Sequence, residues 1–362
     1  MRPYNPGEAF FLQWHITDAC NLKCAHCYRE LPKADLSLHG LESVFANFRA
    51  FRATLPQKKA RVQITGGEPL LSKNLFAVLD MVAGAGFQSR ILTNGTLIDG
   101  ATAKRIARHG CRIVQISIEG DREAHESIRG AGTFDKSIAG ATALRREGVQ
   151  VTFAMTLSRA NMKDVPRVLE LARTQADRVS FHRLVACGSG RKLATTALRP
   201  HELRRVFRFV WGFRRRAKSV EVPLRDPLWK PFIGCDGPAG IVDGCSAAYG
   251  GICVDADGSV YPCRRMPVGV GNALADSLSG LWRAPLMESL RDRDLLKGSC
   301  GRCSLRWHCG GCRAVAYARS GDPLAADPQC FYRPGLVEKT LRRVSSALRG
   351  WRSCDAATSG GG

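Results

Sequence analysis

The sequence predicts an α/β fold: a partial (β/α)6, TIM-like barrel followed by a small cysteine-rich domain with a β-hairpin and short helices. Two observations predict it. Over the first 222 residues, short β-rich runs alternate with amphipathic helical stretches; from about Pro223 the pattern changes to Gly, Pro and Cys-rich sequence with only short helical pieces. Strand-then-helix repeats at this pitch build parallel βα units. Six of them make an incomplete barrel, whose working loops lie at the carboxyl ends of the strands.

In chain order, strands are expected over residues 10–17, 61–65, 88–93, 113–118, 150–155 and 178–184. Helices are expected over 38–55, 74–83, 101–108, 133–147, 164–172 and 201–218. The barrel then occupies residues 1–222 and the cysteine-rich domain 223–335. That second domain opens on a hairpin over 252–262, turning at Asp255-Ala256-Asp257-Gly258, and its clearest helix is 279–291. Residues 336–362 read as a C-terminal helix and a disordered Gly-rich tail.

At 362 residues the chain can bury a large core without disulfide help. The opening MRPYNPGEAF lacks a charged-then-apolar signal, and no apolar run approaches the roughly 20 residues needed to span a bilayer. Its fifteen cysteines are therefore expected to be reduced, cytoplasmic and largely metal-binding. Lys and Arg number 54 against 32 Asp and Glu, a net charge of +22. This favours an acidic partner: an acidic peptide, a polycarboxylate or nucleic acid. Nucleic acid is disfavoured, because no aromatic-plus-basic RNA motif is present. Arg204, Arg205, Arg208, Arg214, Arg215 and Arg216 fall on one amphipathic helix and read as solvated surface.

The first strand leads directly into CNLKCAHC, with Cys20, Cys24 and Cys27 at spacings of four and three. Thiolates ligate iron-sulfur clusters, and three on a tight loop can hold three irons of a four-iron cube while leaving the fourth open. An open metal position is where a small molecule binds and reacts. Half of a zinc site is the alternative, although zinc sites usually pair two such halves. The second strand ends in Thr65-Gly66-Gly67-Glu68-Pro69, where paired glycines let backbone approach a ligand closely. The third ends in Thr93-Asn94-Gly95 and the fourth in Ser117-Ile118-Glu119-Gly120.

These strand ends together resemble the radical S-adenosylmethionine (SAM) enzymes and their CxxxCxxC and GGEP motifs. The resemblance implies a 4Fe-4S cluster on Cys20, Cys24 and Cys27 whose open iron chelates the methionine end of SAM. It further implies that Gly66, Gly67 and Glu68 receive the methionine amino group, that Asn94 and Ser117 make polar contacts to SAM, that Arg129 reaches its carboxylate and that His26 packs near its adenine. Relatives usually carry aspartate where this chain has Glu119, so Glu119 is assigned no role.

Cys245, Gly258 and Cys263 are followed by Cys300-x2-Cys303-x5-Cys309-x2-Cys312 and then Cys330. Zinc is again the alternative for the CxxC pairs. The arrangement resembles the SPASM domain, with two residues between Cys309 and Cys312 where three are commonest. The resemblance implies two auxiliary 4Fe-4S clusters, three clusters in all. By matching position, one takes Cys300, Cys303, Cys309 and Cys330; the other takes Cys245, Cys263 and Cys312, with Cys235 expected as its fourth ligand. Cys253 reads as a buried small hydrophobe, and Cys111, Cys187 and Cys354 as structural or free.

The resemblance implies that SAM cleavage yields a 5′-deoxyadenosyl radical that takes hydrogen from a substrate carbon. Auxiliary clusters with full cysteine ligation favour electron transfer and hence a net oxidation. The expected function is oxidative modification of a ribosomally made peptide, by crosslink or thioether formation, with an acidic peptide as substrate and, as partners, a separate peptide-recognition protein and a reductant such as flavodoxin or ferredoxin. The second reading is tetrapyrrole processing, since CGGCRA followed by GDPLAADPQC also resembles haem-pathway relatives that act on propionate side chains. Sulfatase maturation is weakened by Arg264, which stands where those relatives have an aspartate base. A non-catalytic iron-sulfur or RNA-binding protein is the reading from a different class. No catalytic residue is assigned.

Overall fold

The computed structural model describes residues 9–29, 32–56, 59–217, 219–233 and 244–332. Six parallel strands form the barrel wall: β1 (Ala9–His15), β2 (Lys59–Thr65), β3 (Gln88–Thr93), β4 (Ile113–Ser117), β5 (Gln150–Leu157) and β6 (Arg178–Arg183). They pair in sequence order from β1 to β6, and the wall stays unclosed. Around it lie α1 (Leu38–Ala53), α2 (Leu75–Gly84), α3 (Gly100–Arg108), α4 (Arg122–Arg129), α5 (Thr133–Arg146) and α6 (Val165–Gln175), with α7 (Pro200–Arg216) after β6.

Strand periodicity explains both the core and the cavity. Successive residues of a strand point to opposite faces. In β4, Val114 and Ile116 are fully buried in the core, whereas Gln115 and Ser117 line the central cavity. In β5, Phe153 and Met155 are core, and Ala154 and Thr156 line the cavity. Outside β1, Phe10 and Trp14 pack on Phe45, Phe48 and Phe51 of α1; the Trp14 and Phe45 rings stack with centroids 6.1 Å apart.

The second half continues with α8 (Trp229–Ile233), β7 (Gly251–Val254), β8 (Ser259–Tyr261), β9 (Gly271–Asn272), α9 (Leu278–Leu281), α10 (Pro285–Arg291), α11 (Gly298–Gly301) and α12 (Arg313–Ser320). The hairpin is not a separate sheet. Its first strand, β7, pairs parallel with β1 from Phe11 opposite Gly251 to Trp14 opposite Val254, so one nine-stranded sheet runs from β6 through β1 to β9.

Three elements differ from expectation. Helix α4 has a single buried residue, His125, and so shows no apolar periodicity to read; it starts because Asp121 caps the Ala124 N–H. The stretch 279–291 divides in two because Pro285 fits the first turn of a new helix and not the interior of a continuing one. Helix α12 was not expected. The C-terminal helix and tail over 336–362 lie outside the described residues. Among the described residues, no helix is long and apolar enough to cross a membrane.

Candidate active site and cluster sites

A cavity of about 580 Å³ opens at the carboxyl ends of the barrel strands. Cys20, Cys24, His26, Cys27, Gly66, Gly67, Asn94, Ser117 and Arg129 all line it, so residues spread over more than a hundred positions meet in one chamber. Glu68 does not line it.

The cysteine loop is fastened to neighbouring strand ends by backbone. Gly67 N donates to Thr17 O at 3.0 Å and Glu68 N to Ala19 O at 2.7 Å. A Cβ on Gly66 would overlap the Thr17 carbonyl oxygen, and one on Gly67 the carbonyls of Asp18 and Ala19. The glycine pair is thus required by the cysteine loop itself. Asn94 ties the same loop down: its Nδ2 donates to Asn21 Oδ1 at 2.9 Å.

Glu68 is fully buried beneath this junction. It accepts from Thr93 Oγ1 at 2.6 Å and from the Asn94 N–H at 2.8 Å, and burial pushes its pKa up. Its carboxyl group organises the ends of β2 and β3 from below.

Glu119, given no role by the sequence, is the hub on the opposite wall. Fully buried, it accepts from His26 Nε2 at 3.0 Å, from Arg129 Nη2 at 2.6 Å and from the Thr156 N–H at 2.8 Å. Burial alone would raise its pKa, but His26 and Arg129 outweigh that and hold it below the ordinary carboxylate range. Arg129 reaches on to Cys24 Sγ at 3.6 Å. One carboxylate thus sets the positions of His26 and Arg129 around the cysteine loop. The signal was present in the sequence as an acidic residue at the end of the fourth strand. Among the described residues His26 Nδ1 is buried without a hydrogen-bond partner, a polar atom suited to a bound ligand.

A second, tighter cavity is lined by Cys300, Cys303, Cys309 and Cys330 together with Gly310 and Gly311. Gly310 and Gly311 both have φ of +63°, a left-handed pair that glycine adopts without strain. This turn is how two intervening residues suffice between Cys309 and Cys312. Cys245 and Cys312 are both buried, and each is the strongest influence on the other's thiol, with Cys263 acting on Cys245 as well. Cys235 lies outside the described residues. Cys253 is buried in β7, 3.7 Å from His15 Nδ1. Among the described residues no three His, Cys, Asp or Glu side chains converge as around a single metal ion.

The barrel and the cysteine-rich half are joined by a buried arginine. Arg183 binds Asp226 at 2.6 Å and Asp327 at 2.9 Å, and Asp327 also accepts the Cys312 N–H at 2.8 Å.

Comparison with known proteins agrees with this geometry. The model of the radical SAM superfamily matches residues 14–172, and that of the SPASM iron-sulfur cluster-binding domain matches residues 245–304. The chain belongs to the radical SAM enzymes and carries a SPASM domain. Its cofactors are SAM and 4Fe-4S clusters, auxiliary clusters included. This radical SAM chain is similar to the AdoMet-dependent heme synthase of Methanosarcina barkeri, 28% identical over 90% of this chain and 97% of the relative. It is also similar to the mycofactocin maturase MftC of Mycobacterium ulcerans, 28% identical over 91% of this chain and 90% of the relative. In fold it resembles the solved structure of anSMEcpe with bound AdoMet, with a TM-score of 0.71 and 21% identity over 94% of this chain and 98% of that one.

Proposed function

We propose that this radical SAM enzyme oxidatively decarboxylates the propionate side chains of a tetrapyrrole. The observation that carries the reading is the charge of the cavity. Lys23, Arg29, Arg129, Arg183, Arg264 and Arg265 line it, against Asp18 as the one carboxylate among its lining residues. Such a lining suits a polycarboxylate. The similarity to a heme synthase along nearly that relative's full length supports the same choice, and the comparisons thereby favour the second sequence reading over the expected peptide substrate.

Peptide modification is kept as the second reading because of the similarity to a mycofactocin maturase. Binding an extended peptide by strand addition needs an open sheet edge. Here the β1 edge is taken by β7, the β6 edge carries a bridge from Arg178 to Glu221, and the far strand β9 has only two residues.

In this reading Cys20, Cys24 and Cys27 hold the SAM-binding cluster. Cys300, Cys303, Cys309 and Cys330 hold one auxiliary cluster, and Cys245, Cys263 and Cys312 hold the other, with Cys235 as fourth ligand. When bound, SAM and its cluster supply one-electron chemistry able to take a hydrogen atom from an unactivated carbon. The chain's own residues do the rest. Gly66 and Gly67 let β2 seat the cysteine loop, Glu119 holds Arg129 and His26 on the SAM side, and Ser117 and Asn94 offer polar contacts. Loss of CO2 from the propionate after hydrogen removal leaves one electron to pass on, and the SPASM cysteines lie beside the Arg264 and Arg265 end of the cavity. The electron that starts each turnover would come from a flavodoxin or ferredoxin.

The test is anaerobic incubation of reconstituted enzyme with SAM, a strong reductant and an iron porphyrin carrying propionates. The expected result is loss of CO2 and two hydrogens per propionate, matched by one 5′-deoxyadenosine. Recovery of unchanged porphyrin alongside a modified acidic peptide would establish the peptide reading instead.

A further inference from the structure

The cavity's positive groups are not equivalent. Arg29 is paired with Asp18 and Asp255, Arg129 with Glu119, and Arg183 with Asp226 and Asp327. Arg265 donates to the Arg183 carbonyl at 3.1 Å; burial opposes its charge, but Cys312, Cys263, Cys187 and the Asp226 carboxylate favour it. Lys23 is exposed at the mouth. Arg264 remains. It has no carboxylate partner among the described residues, and its guanidinium is held by two neutral groups. Nη1 donates to Gln13 Oε1 at 2.8 Å, and the plane lies over the Tyr28 ring at 5.7 Å from its centroid.

Among the described residues, two donors at this spot lack acceptors. Arg264 Nε is buried without a partner, and so is Nε2 of Gln13, a residue only 5% exposed. A buried N–H without an acceptor is costly, more so on a charged group. A cation fixed by neutral neighbours, flanked by a second free donor and facing a cavity, is arranged for an anion that arrives with the substrate. The adjacent chamber behind Tyr28 offers no rival, because its other cations, Arg29 and Lys33, are bound to Asp255 and Asp257.

We infer that Arg264, oriented by Gln13 and Tyr28, is the anchor for a substrate carboxylate and sets the preference for a polycarboxylate over a less charged ligand. A guanidinium and a carboxylate match as planar, two-pronged partners. Arg264 directly follows Cys263, so a substrate held there lies at the auxiliary-cluster end of the cavity, away from the substituent presented to the SAM side. This inference rests on the tetrapyrrole reading and adds to it the residue that reads the substrate's charge.

The experiment titrates iron coproporphyrin, with four propionates, and haem, with two, into anaerobic holoenzyme and follows the Soret band. Arg264→Gln, Arg264→Lys and Gln13→Glu are compared with wild type, and iron content reports whether each variant keeps its clusters. Gln13→Glu is the decisive change, since it gives Arg264 an internal carboxylate. If Arg264 serves only the fold, that pairing leaves porphyrin binding as it was; if Arg264 anchors substrate, it blocks the site. Expected are tighter binding of the four-propionate porphyrin by wild type, a loss of about tenfold or more in both Arg264→Gln and Gln13→Glu with iron retained, and partial retention in Arg264→Lys. Wild-type affinity in Arg264→Gln or in Gln13→Glu overturns the inference and leaves the tetrapyrrole reading standing. Failure of wild type to bind either porphyrin overturns both.

Discussion

Two of the three cysteine sets present the same thiol sulfur in opposite surroundings. At the barrel mouth Cys20 is exposed, Cys24 and Cys27 are half-buried, and all three face a chamber of about 580 Å³ shared with His26, Arg129 and Asn94. In the C-terminal half Cys300 and Cys309 are buried, and with Cys303 and Cys330 they enclose a far smaller space capped by Leu228 and Pro231. The difference follows the logic that separates reactive from structural metal sites: three ligands and an open position leave room for a reactant, whereas four ligands in a closed pocket leave none. Fold position supports the contrast. The first site sits where a barrel gathers loops from many strands, and the second where short helices and a Gly-Gly turn wrap one small volume.

The largest effect expected is at the open site. Cys24→Ala should abolish 5′-deoxyadenosine formation, a fall of at least about a hundredfold, because removing one of three ligands leaves nothing to hold the cluster. Substantial turnover by this variant, measured by chromatography under reducing anaerobic conditions, would falsify the assignment of the reactive site.

Next is the closed site. Cys309→Ala should lower iron per chain and lose product, while SAM cleavage survives within about tenfold. Product formation at the wild-type rate would remove the electron-transfer role and with it the functional contrast between the two sites.

A smaller effect is expected at Glu119, which belongs to the open site without being a ligand. Glu119→Gln leaves His26 and Arg129 without their shared charge in a buried setting, where breaking such a pair costs about 3–5 kcal/mol. Weaker SAM binding by calorimetry, about tenfold or more, together with a lower Tm is the expected outcome. A lower Tm with unchanged SAM affinity would mean that Glu119 supports the wall and not the ligand.

The smallest effect concerns pH. His15 lies fully buried at the end of β1, accepting from Tyr28 at 2.8 Å on Nε2, and desolvation pushes its pKa down to about 3 against the pull of Asp255. Unfolded, it takes a proton near pH 6.5. Between these values the unfolded state binds more protons than the native one, so stability falls as pH drops through that window. At about pH 5.5 the cost is on the order of 1 kcal/mol relative to neutral pH, and His15→Gln should remove that component. Urea unfolding at the two pH values measures it; an identical pH dependence in the variant would show that folding leaves the proton affinity of His15 unchanged.

The sequence by itself determined the barrel, because apolar alternation in the strands and amphipathy in the helices are local patterns that burial enforces. The family resemblance, carried by motifs written locally in the chain, supplied the expected cysteine sets. Cys300, Cys303, Cys309 and Cys330 line one cavity together. Tertiary structure alone decided four other things. Parallel pairing of β7 with β1 joins residues some 240 positions apart, and no local pattern encodes a partner at that distance. The glycine pair after β2 answers to the carbonyls of Thr17 to Ala19, which only the folded chain brings near. Glu119 became the hub because burial without water leaves its charge dependent on whichever cations the fold delivers, here His26 and Arg129. The distinction among six cavity cations, five of them engaged or at the mouth and Arg264 left facing the chamber, depends on where carboxylates from distant segments arrive. Charge composition shows how many cations a chain has; three-dimensional packing decides which of them is left for the substrate.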